Sequence, residues 1–357
     1  MHIGRAWYDR RCIRQMFRQN HDLRKLHLPP EVVRDAKNFW RGHLALPVNL
    51  RWHQAYASVN GIADVRYVPE DHFFTWIEKG LNAYPLAWGY NDKNNYHRIF
   101  PAAPMPKVLL RNIHGRYFDE AYQPASDLGG MLAQLDGGEY IIKPSYHSGQ
   151  GKNVRLIKFT GETIHVDGKD ITATTLTRMY GEDFLIQERL GQHAALQTVH
   201  PPSLNTIRIM TLRYGGEIRP LSSVIKFGGH GSVADNLFAG GFCCGIREDG
   251  SVKSFAIDKI ARKYTEHPVT HVRFEGLTVP GYHLALDLVR RLHEALINFD
   301  TASWDVAIGV DGRPVLIEVN LITQGVNIHQ FNNGPIFGGL TEEVLALAQR
   351  RNTLQLA

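Results

Sequence analysis

The sequence predicts an α+β protein: a mainly helical N-terminal region followed by largely antiparallel sheets. Three observations lead there. Residues 31–44 repeat an apolar stripe, Val32, Val33, Ala36, Phe39 and Trp40, directly after Pro29-Pro30, which suits a first helical turn. From about residue 106 the texture changes to short runs rich in β-branched and aromatic residues. Two junctions, Tyr214-Gly215-Gly216-Glu217 and Val310-Asp311-Gly312-Arg313, carry the Gly-Gly and Asp-Gly dipeptides that antiparallel hairpins prefer.

Taken in order, the first 85 residues read as helices. The expected strands are Val108-Leu110, Tyr140-Lys143, Val154-Phe159, Phe184-Gln187, Thr206-Tyr214, Glu217-Phe227, Ser303-Val310 and Pro314-Val319. Ahead of the last two, Ala285, Leu288, Val289, Leu292, Leu296 and Phe299 mark an amphipathic helix with Arg290, Arg291 and Glu294 on its other face.

With 357 residues and 43% hydrophobic content, the chain can bury a sizeable core. Cys12 and the adjacent Cys243 and Cys244 give neither a disulfide framework nor a C-x-x-C spacing, so the expected compartment is reducing and cytoplasmic. No apolar run approaches the ~18 residues that cross a bilayer. The formal charge of +5 is modest for this length and gives no reason to expect a nucleic-acid partner. Basic residues do concentrate in residues 1–25, where Arg5, Arg10, Arg11, Arg14, Arg18, Arg24 and Lys25 face only Asp9 and Asp22. Ile13, Met16, Phe17 and Leu23 fall near helical spacing in the same segment. It suits either peripheral contact with an anionic membrane or a terminal helix packed on its own domain.

The stretch from Ser303 to Asn320 carries the most chemistry. If Asp311-Gly312 is a two-residue turn, Val310 faces Arg313, Ile308 faces Val315, Val306 faces Ile317 and Asp305 faces Glu318. One face is then apolar, and the other sets two carboxylates opposite each other with Cβ atoms roughly 5 Å apart. Asn320 follows on the same side. A hard divalent cation would relieve the repulsion, and carboxylate and amide oxygens are ligands that Mg²⁺ favours. The alternative is an exposed hairpin with an acidic outer face.

Residues 139–159 read strand, small-residue loop, strand. Gly149 and Gly151 free backbone amides, Ser148 adds a hydroxyl donor, and Lys143 ends the entering strand, a set that suits phosphate oxygens. Neither a Walker loop nor a dinucleotide fingerprint is present, because no helix follows the loop. An ordinary β-turn remains the alternative.

The order of these pieces resembles the ATP-grasp superfamily. Asp92-Lys93-Asn94 and Ile142-Lys143-Pro144 are similar to its two phosphate-binding lysines, Phe184 to Leu190 with Gln187 and Glu188 to its adenine-contacting hinge, and Asp305 with Glu318-Val319-Asn320 to its metal ligands. Asn205-Thr-Ile-Arg208 and Asp235-Asn236-Leu-Phe-Ala-Gly240-Gly241 look like the acceptor-facing pieces of glutamate-ligase-type members. With Pro104-Met-Pro-Lys-Val-Leu-Leu-Arg-Asn-Ile-His-Gly115, the pattern is most similar to the sugar-transfer-associated subfamily, over about residues 88–345.

The resemblance implies an ATP-grasp fold of two α+β subdomains clasping a nucleotide. The implied parts are a helical region 1–87, a pre-grasp segment 88–140, a lid subdomain 141–192, a large subdomain 193–345 with the metal site, and a tail 346–357. It implies ATP and Mg²⁺ as cofactors: Lys93, Lys143, Ser148, Gly149, Gly151, Gln187, Glu188 and Leu190 on the nucleotide, and Asp305, Glu318 and Asn320 on the metal. Arg208, Asn236 and Lys143 would be catalytic. The implied reaction joins a small-molecule carboxylate to an amine through an acyl phosphate, on a sugar or amino-acid-like substrate in polysaccharide biosynthesis. A phosphotransferase acting on a sugar or lipid-linked hydroxyl, with Asp235 or His230 as base, and a nucleotide-binding regulator without turnover are the alternatives. The pattern departs from the family where Gln192 and His193 stand in place of the usual ribose-holding acid. Lys226 and His230 read as near-site candidates in a solvated loop.

Overall fold

The computed structural model describes residues 2–44, 47–125, 128–132, 137–146, 153–160, 163–232 and 235–356. Among them every strand pairing is antiparallel. The first sheet is formed by β1 (Val108–Ile113), β2 (Arg116–Phe118), β3 (Pro124–Ala125), β4 (Glu139–Pro144), β5 (Arg155–Thr160), β6 (Thr163–Val166), β7 (Lys169–Ile171) and β8 (Phe184–Glu188). Its spatial order is β3-β2-β1-β8-β4-β5-β6-β7. Because β8 pairs with both β1 and β4, the expected pre-grasp and lid segments share one sheet.

The second sheet has the order β13-β12-β11-β10-β9-β14-β15. It contains β9 (Thr206–Tyr214), β10 (Glu217–Phe227), β11 (Phe242–Ile246), β12 (Val252–Ile257), β13 (Lys263–Tyr264), β14 (Thr301–Ile308) and β15 (Pro314–Asn320). Both of its faces are covered. The helix Tyr282–Glu294 lays Ala285, Leu288, Val289 and Leu292 on Ile207, Ile209 and Val306. The opposite face carries Met210, Leu212, Val224 and Cys243, which pack on the N-terminal helices and on the helices Val326–Asn333 and Thr341–Leu356. Period-two alternation therefore sends Cys244 into one core and Cys243 into the other, and both remain free thiols. Residues 346–356 of the expected C-terminal tail belong to the Thr341–Leu356 helix.

The N-terminal region is helical, with His2–Gln19, Pro30–Leu44 and Arg51–Asn60 as its longer elements. Ile13, Phe17 and Leu23 are buried against Trp52 and Tyr56, so the apolar face that a bilayer would need is already covered by the fold. No helix among the described residues is long and apolar enough to cross a membrane.

Three expectations change. The Tyr282–Glu294 helix ends before Leu296 and Phe299, which are buried in the turn that follows. The hairpin joining β14 and β15 is not a two-residue turn: Ile308 pairs with Pro314, Val306 with Leu316, and Gly309 N–H donates to Arg313 O at 2.8 Å. A bulge at Ile317 then restores the expected Asp305–Glu318 pair. Without that extra residue, the shorter register would turn Glu318 to the opposite face of the sheet. A second bulge, at Leu221, pairs Arg208 with Val224, not with Ser223 as the Gly215-Gly216 turn alone would set.

Candidate active site

A cavity of about 960 Å³ opens between the two sheets and the N-terminal helices. Its polar floor is the central part of the second sheet. Arg208 on β9, Lys226 on β10, Asp305 on β14 and Glu318 and Asn320 on β15 share one face, because directly paired residues of antiparallel strands point the same way. The hairpin carrying Asp305 is buried along the whole of β14, which removes the exposed-hairpin alternative.

Asp305 is held by a guanidinium fork, with Arg208 Nε on Oδ1 at 2.8 Å and Nη2 on Oδ2 at 2.6 Å. Lys226 Nζ lies 3.2 Å from Oδ2. Burial alone would raise the Asp305 pKa, but Arg208 and Lys226 hold it well below the usual carboxylate range. Arg208 was expected on the acceptor; its fork is instead directed at the first metal-ligand candidate, two planar donors matching two oxygens.

Lys93 follows Asp92, whose carboxylate accepts from Asn94 N–H at 3.0 Å and starts a one-turn helix. Its Nζ sits 2.9 Å from Glu318 Oε1. Lys143 ends β4 and is buried, and burial, together with the charge of Lys93, brings its pKa down to about 7. Asn320 Nδ2 is buried without a hydrogen-bond partner. Gln187 and Leu190 line the cavity on the first-sheet side.

Other expected residues are placed differently. Glu188 lies outside the lining, and its Oε1 accepts from Lys107 N–H at 2.8 Å. Gln192 is in the lining, but its amide braces Ser203 O and Asn205 N–H, while His193 Nδ1 accepts from Ala195 N–H as a helix cap. Asn236 lines the cavity and caps the following turn by accepting from Phe238 N–H. His230 is exposed, at positive φ, and outside the lining. Ser148, Gly149 and Gly151 lie outside the described residues.

Lys226 is the residue undervalued from sequence. It lies within strand β10, as the expected Glu217-Phe227 run places it, and it is 6% exposed where a solvated side chain was expected. The available signal was a single cation in the apolar run Val224-Ile225-Lys226-Phe227. Its second neighbour, Asp235, lies 3.6 Å away and accepts from Thr206 N–H at 2.9 Å, and burial raises its pKa.

A family model for sugar-transfer associated ATP-grasp proteins matches residues 76–346. The chain belongs to that family. Its fold is accordingly an ATP-grasp fold, with the helical N-terminal region placed ahead of it. No curated relative matches this ATP-grasp chain. Similar solved structures include the D-alanine–D-alanine ligase of Bacillus anthracis, at 13% identity and TM-score 0.39, covering 74% of this chain and 67% of that one. The L-amino acid ligase of Bacillus licheniformis aligns at 15% identity and TM-score 0.38, covering 71% and 47%. The N5-carboxyaminoimidazole ribonucleotide synthetase of Thermotoga maritima aligns at 12% and 0.36, covering 68% and 47%. The alignments thus span two thirds of the first of these chains and about half of the other two.

Proposed function

We propose that this ATP-grasp protein is an ADP-forming ligase that joins a carboxylate to an amine through an acyl phosphate, using ATP and Mg²⁺. The observation that carries the reading is one row of buried and half-buried charges in one cavity: Lys143, Lys93, Glu318, Asp305, Arg208 and Lys226. Such a row neutralises transferring phosphates and positions reactants, which is most of what phosphoryl transfer asks of a protein.

The donor set fits a hard cation. Asp305 stays ionised, Glu318 is its direct cross-strand partner, and Asn320 brings an amide oxygen to the same lining. Asp305, Glu318 and Asn320 would hold Mg²⁺, which when bound supplies positive charge to the phosphate oxygens. Lys93 and Lys143 bind the phosphates from the lid side. Lys93, which contacts Glu318, would bind phosphate from that position. Arg208 keeps Asp305 ionised and oriented, and Lys226 lies between Asp305 and Asp235, where a reacting carboxylate or acyl phosphate would meet a cation. Gln187 and Leu190, which line the cavity, would contact the base of the nucleotide.

A second reading has an observation in its favour. Asp235 is a half-buried carboxylate with a raised pKa beside Lys226, the chemistry of a base for a hydroxyl acceptor, so direct phosphoryl transfer to a sugar is the competing reaction.

Thermal melting separates binding from chemistry. Mg²⁺ with a non-hydrolysable ATP analogue should raise the Tm of the parent more than either alone, since both bind only the folded chain. Glu318→Gln should abolish most of that coupling; an undiminished coupling rules out Glu318 as a ligand. In turnover, hydroxylamine should trap a hydroxamate as ADP and phosphate are released. ADP formed with phosphate kept stably on the acceptor selects the phosphotransferase.

A further inference from the structure

From residue 11 onward the His2–Gln19 helix turns one face to the core and another to the cavity. Ile13 and Phe17 are buried in the core, and Cys12, Gln15, Met16 and Gln19 line the cavity. The remaining face carries Arg14 and Arg18, one turn apart and both exposed. Arg24 and Lys25, also exposed, continue it past the one-turn helix His21–Arg24.

Tertiary packing adds cations from distant parts of the chain. Arg51 holds its exposed guanidinium 6.0 Å from the Phe17 ring, and Arg262 donates from Nη2 to Gln19 O at 3.3 Å. Lys259 is exposed in the same turn as Arg262, and Asn20 ties that turn to the helix end by donating from Nδ2 to Ile260 O and Ala261 O. The acids beside them are Asp22, which bonds Lys25 at 2.6 Å, and the half-buried Asp258, which accepts from Ile260 and Arg262 N–H. The fold thus gathers on one surface a positive charge that the formal +5 of the whole chain does not reveal.

Two observations select the partner. Apolar side chains stand exposed at the border of the basic face: Leu26, 38% exposed, follows Lys25, and Phe238, 60% exposed, follows Leu237, which shares the core of Ile13 and Phe17. An anionic bilayer rewards both the charge and the apolar surface, whereas the phosphates of a duplex reward only the charge. The helix also lies flush on the body, with Ile13, Phe17 and Leu23 buried, and does not stand out as an element that could enter a groove. The same burial keeps the helix out of the acyl chains and sets the contact at the level of the headgroups.

We propose that this basic face docks the chain on an anionic bilayer surface. The inference goes beyond the ligase reading and stands without it. Gln15 and Gln19 are exposed and line the cavity, so the cavity opens beside the docked face.

Cosedimentation of the full chain with phosphatidylcholine vesicles, with and without phosphatidylglycerol, tests this at low and at physiological salt. Binding should require phosphatidylglycerol and weaken as salt rises. Arg14→Gln with Arg18→Gln removes two exposed charges outside the cavity and should weaken binding about 25-fold, roughly fivefold for each guanidinium near an anionic leaflet. Arg51→Gln, on a different helix, should weaken it about fivefold. Affinity for a Mg²⁺–ATP analogue should stay within about twofold in both variants, since these charges lie outside the cavity lining. Equal binding to uncharged vesicles, no binding to phosphatidylglycerol, or unchanged binding in both variants overturns the docking face. Tighter binding of duplex DNA than of the anionic vesicles overturns it as well and makes nucleic acid the partner.

Discussion

Lys143 is 7% exposed and lies near Lys93, and these two effects bring its pKa from 10.5 down to about 7. The sign of the consequence follows directly. Between pH 7 and 10 the unfolded lysine is protonated while the folded one is mostly neutral, so the unfolded chain binds more protons and Lys143 makes the ligand-free fold more stable as pH rises across that window. Phosphate favours the charged lysine, so nucleotide binding above pH 7 takes up a proton. Affinity for a Mg²⁺–ATP analogue should therefore fall as pH rises above 7, by up to about tenfold per unit, and level off below it. Calorimetry in buffers of different ionisation enthalpy measures the proton uptake, and Lys143→Arg, which stays charged, should remove the slope. A parent affinity independent of pH from 7 to 9 would overturn the assignment. Arg208 shows what sequence alone missed at this scale. A permanently charged fork reads equally well as an acceptor clamp or as the partner of a buried acid, and only the pairing of β9 with β14 puts Asp305 opposite it.

At the scale of elements, two bulges phase the site. Leu221 and Ile317 each add one residue to a strand, and each restores a face that the hairpin turn would have lost. Glycine has a comparable role after β10. A Cβ on Gly229 would stand 2.2 Å from Gly240 O, so the 228–229 backbone packs directly on the turn that follows Asp235 and Asn236. Gly229→Ala should cost about 1–3 kcal/mol and weaken turnover more than nucleotide binding, because it displaces that turn. Gly42, in the Pro30–Leu44 helix, has nothing within 4 Å of its would-be Cβ, so Gly42→Ala should be neutral or stabilise by up to about 1 kcal/mol. Denaturant melts of both variants check the pair, and equal losses would show that the close approach at Gly229 has no energetic weight.

At the scale of the molecule, the second sheet has no exposed face to spare. Val224, Cys243 and Ile257 meet Ile13, Phe17, Trp52 and Tyr56, and Met210 and Leu212 meet Trp40, Phe73 and Val344. A fragment of residues 76–357, which contains the whole family match, should consequently aggregate or melt without cooperativity, since it uncovers the part of that sheet's face on which the N-terminal helices pack. Circular dichroism and size-exclusion chromatography of the fragment test this. A monomer with a cooperative melt would show that the N-terminal helices are an accessory layer.

Much of this was legible in the residues themselves. Alternation and the Gly-Gly dipeptide mark β9 and β10 to the residue, the stripe after Pro30 marks its helix, and the Asp305–Glu318 pair is as expected, although the longer turn and the bulge that together produce it were not legible. Such features depend on neighbours close in sequence, where period and turn chemistry are decisive. The short strands β2, β3, β6, β7 and β11 to β13 escaped, because two to six residues hold too little periodicity to stand out. So did the roles of Arg208, Lys226 and Glu188, whose partners lie 97, 79 and 81 residues away along the chain. The cavity escaped as well, because residues 12–74 and 323–331 become its wall only when the helices close over the sheet. Local pattern determined the elements and named most of the charged residues. Tertiary packing decided which charges meet and which apolar side chains stand beside them, because burial and pairing energies depend on distance in space and not along the chain.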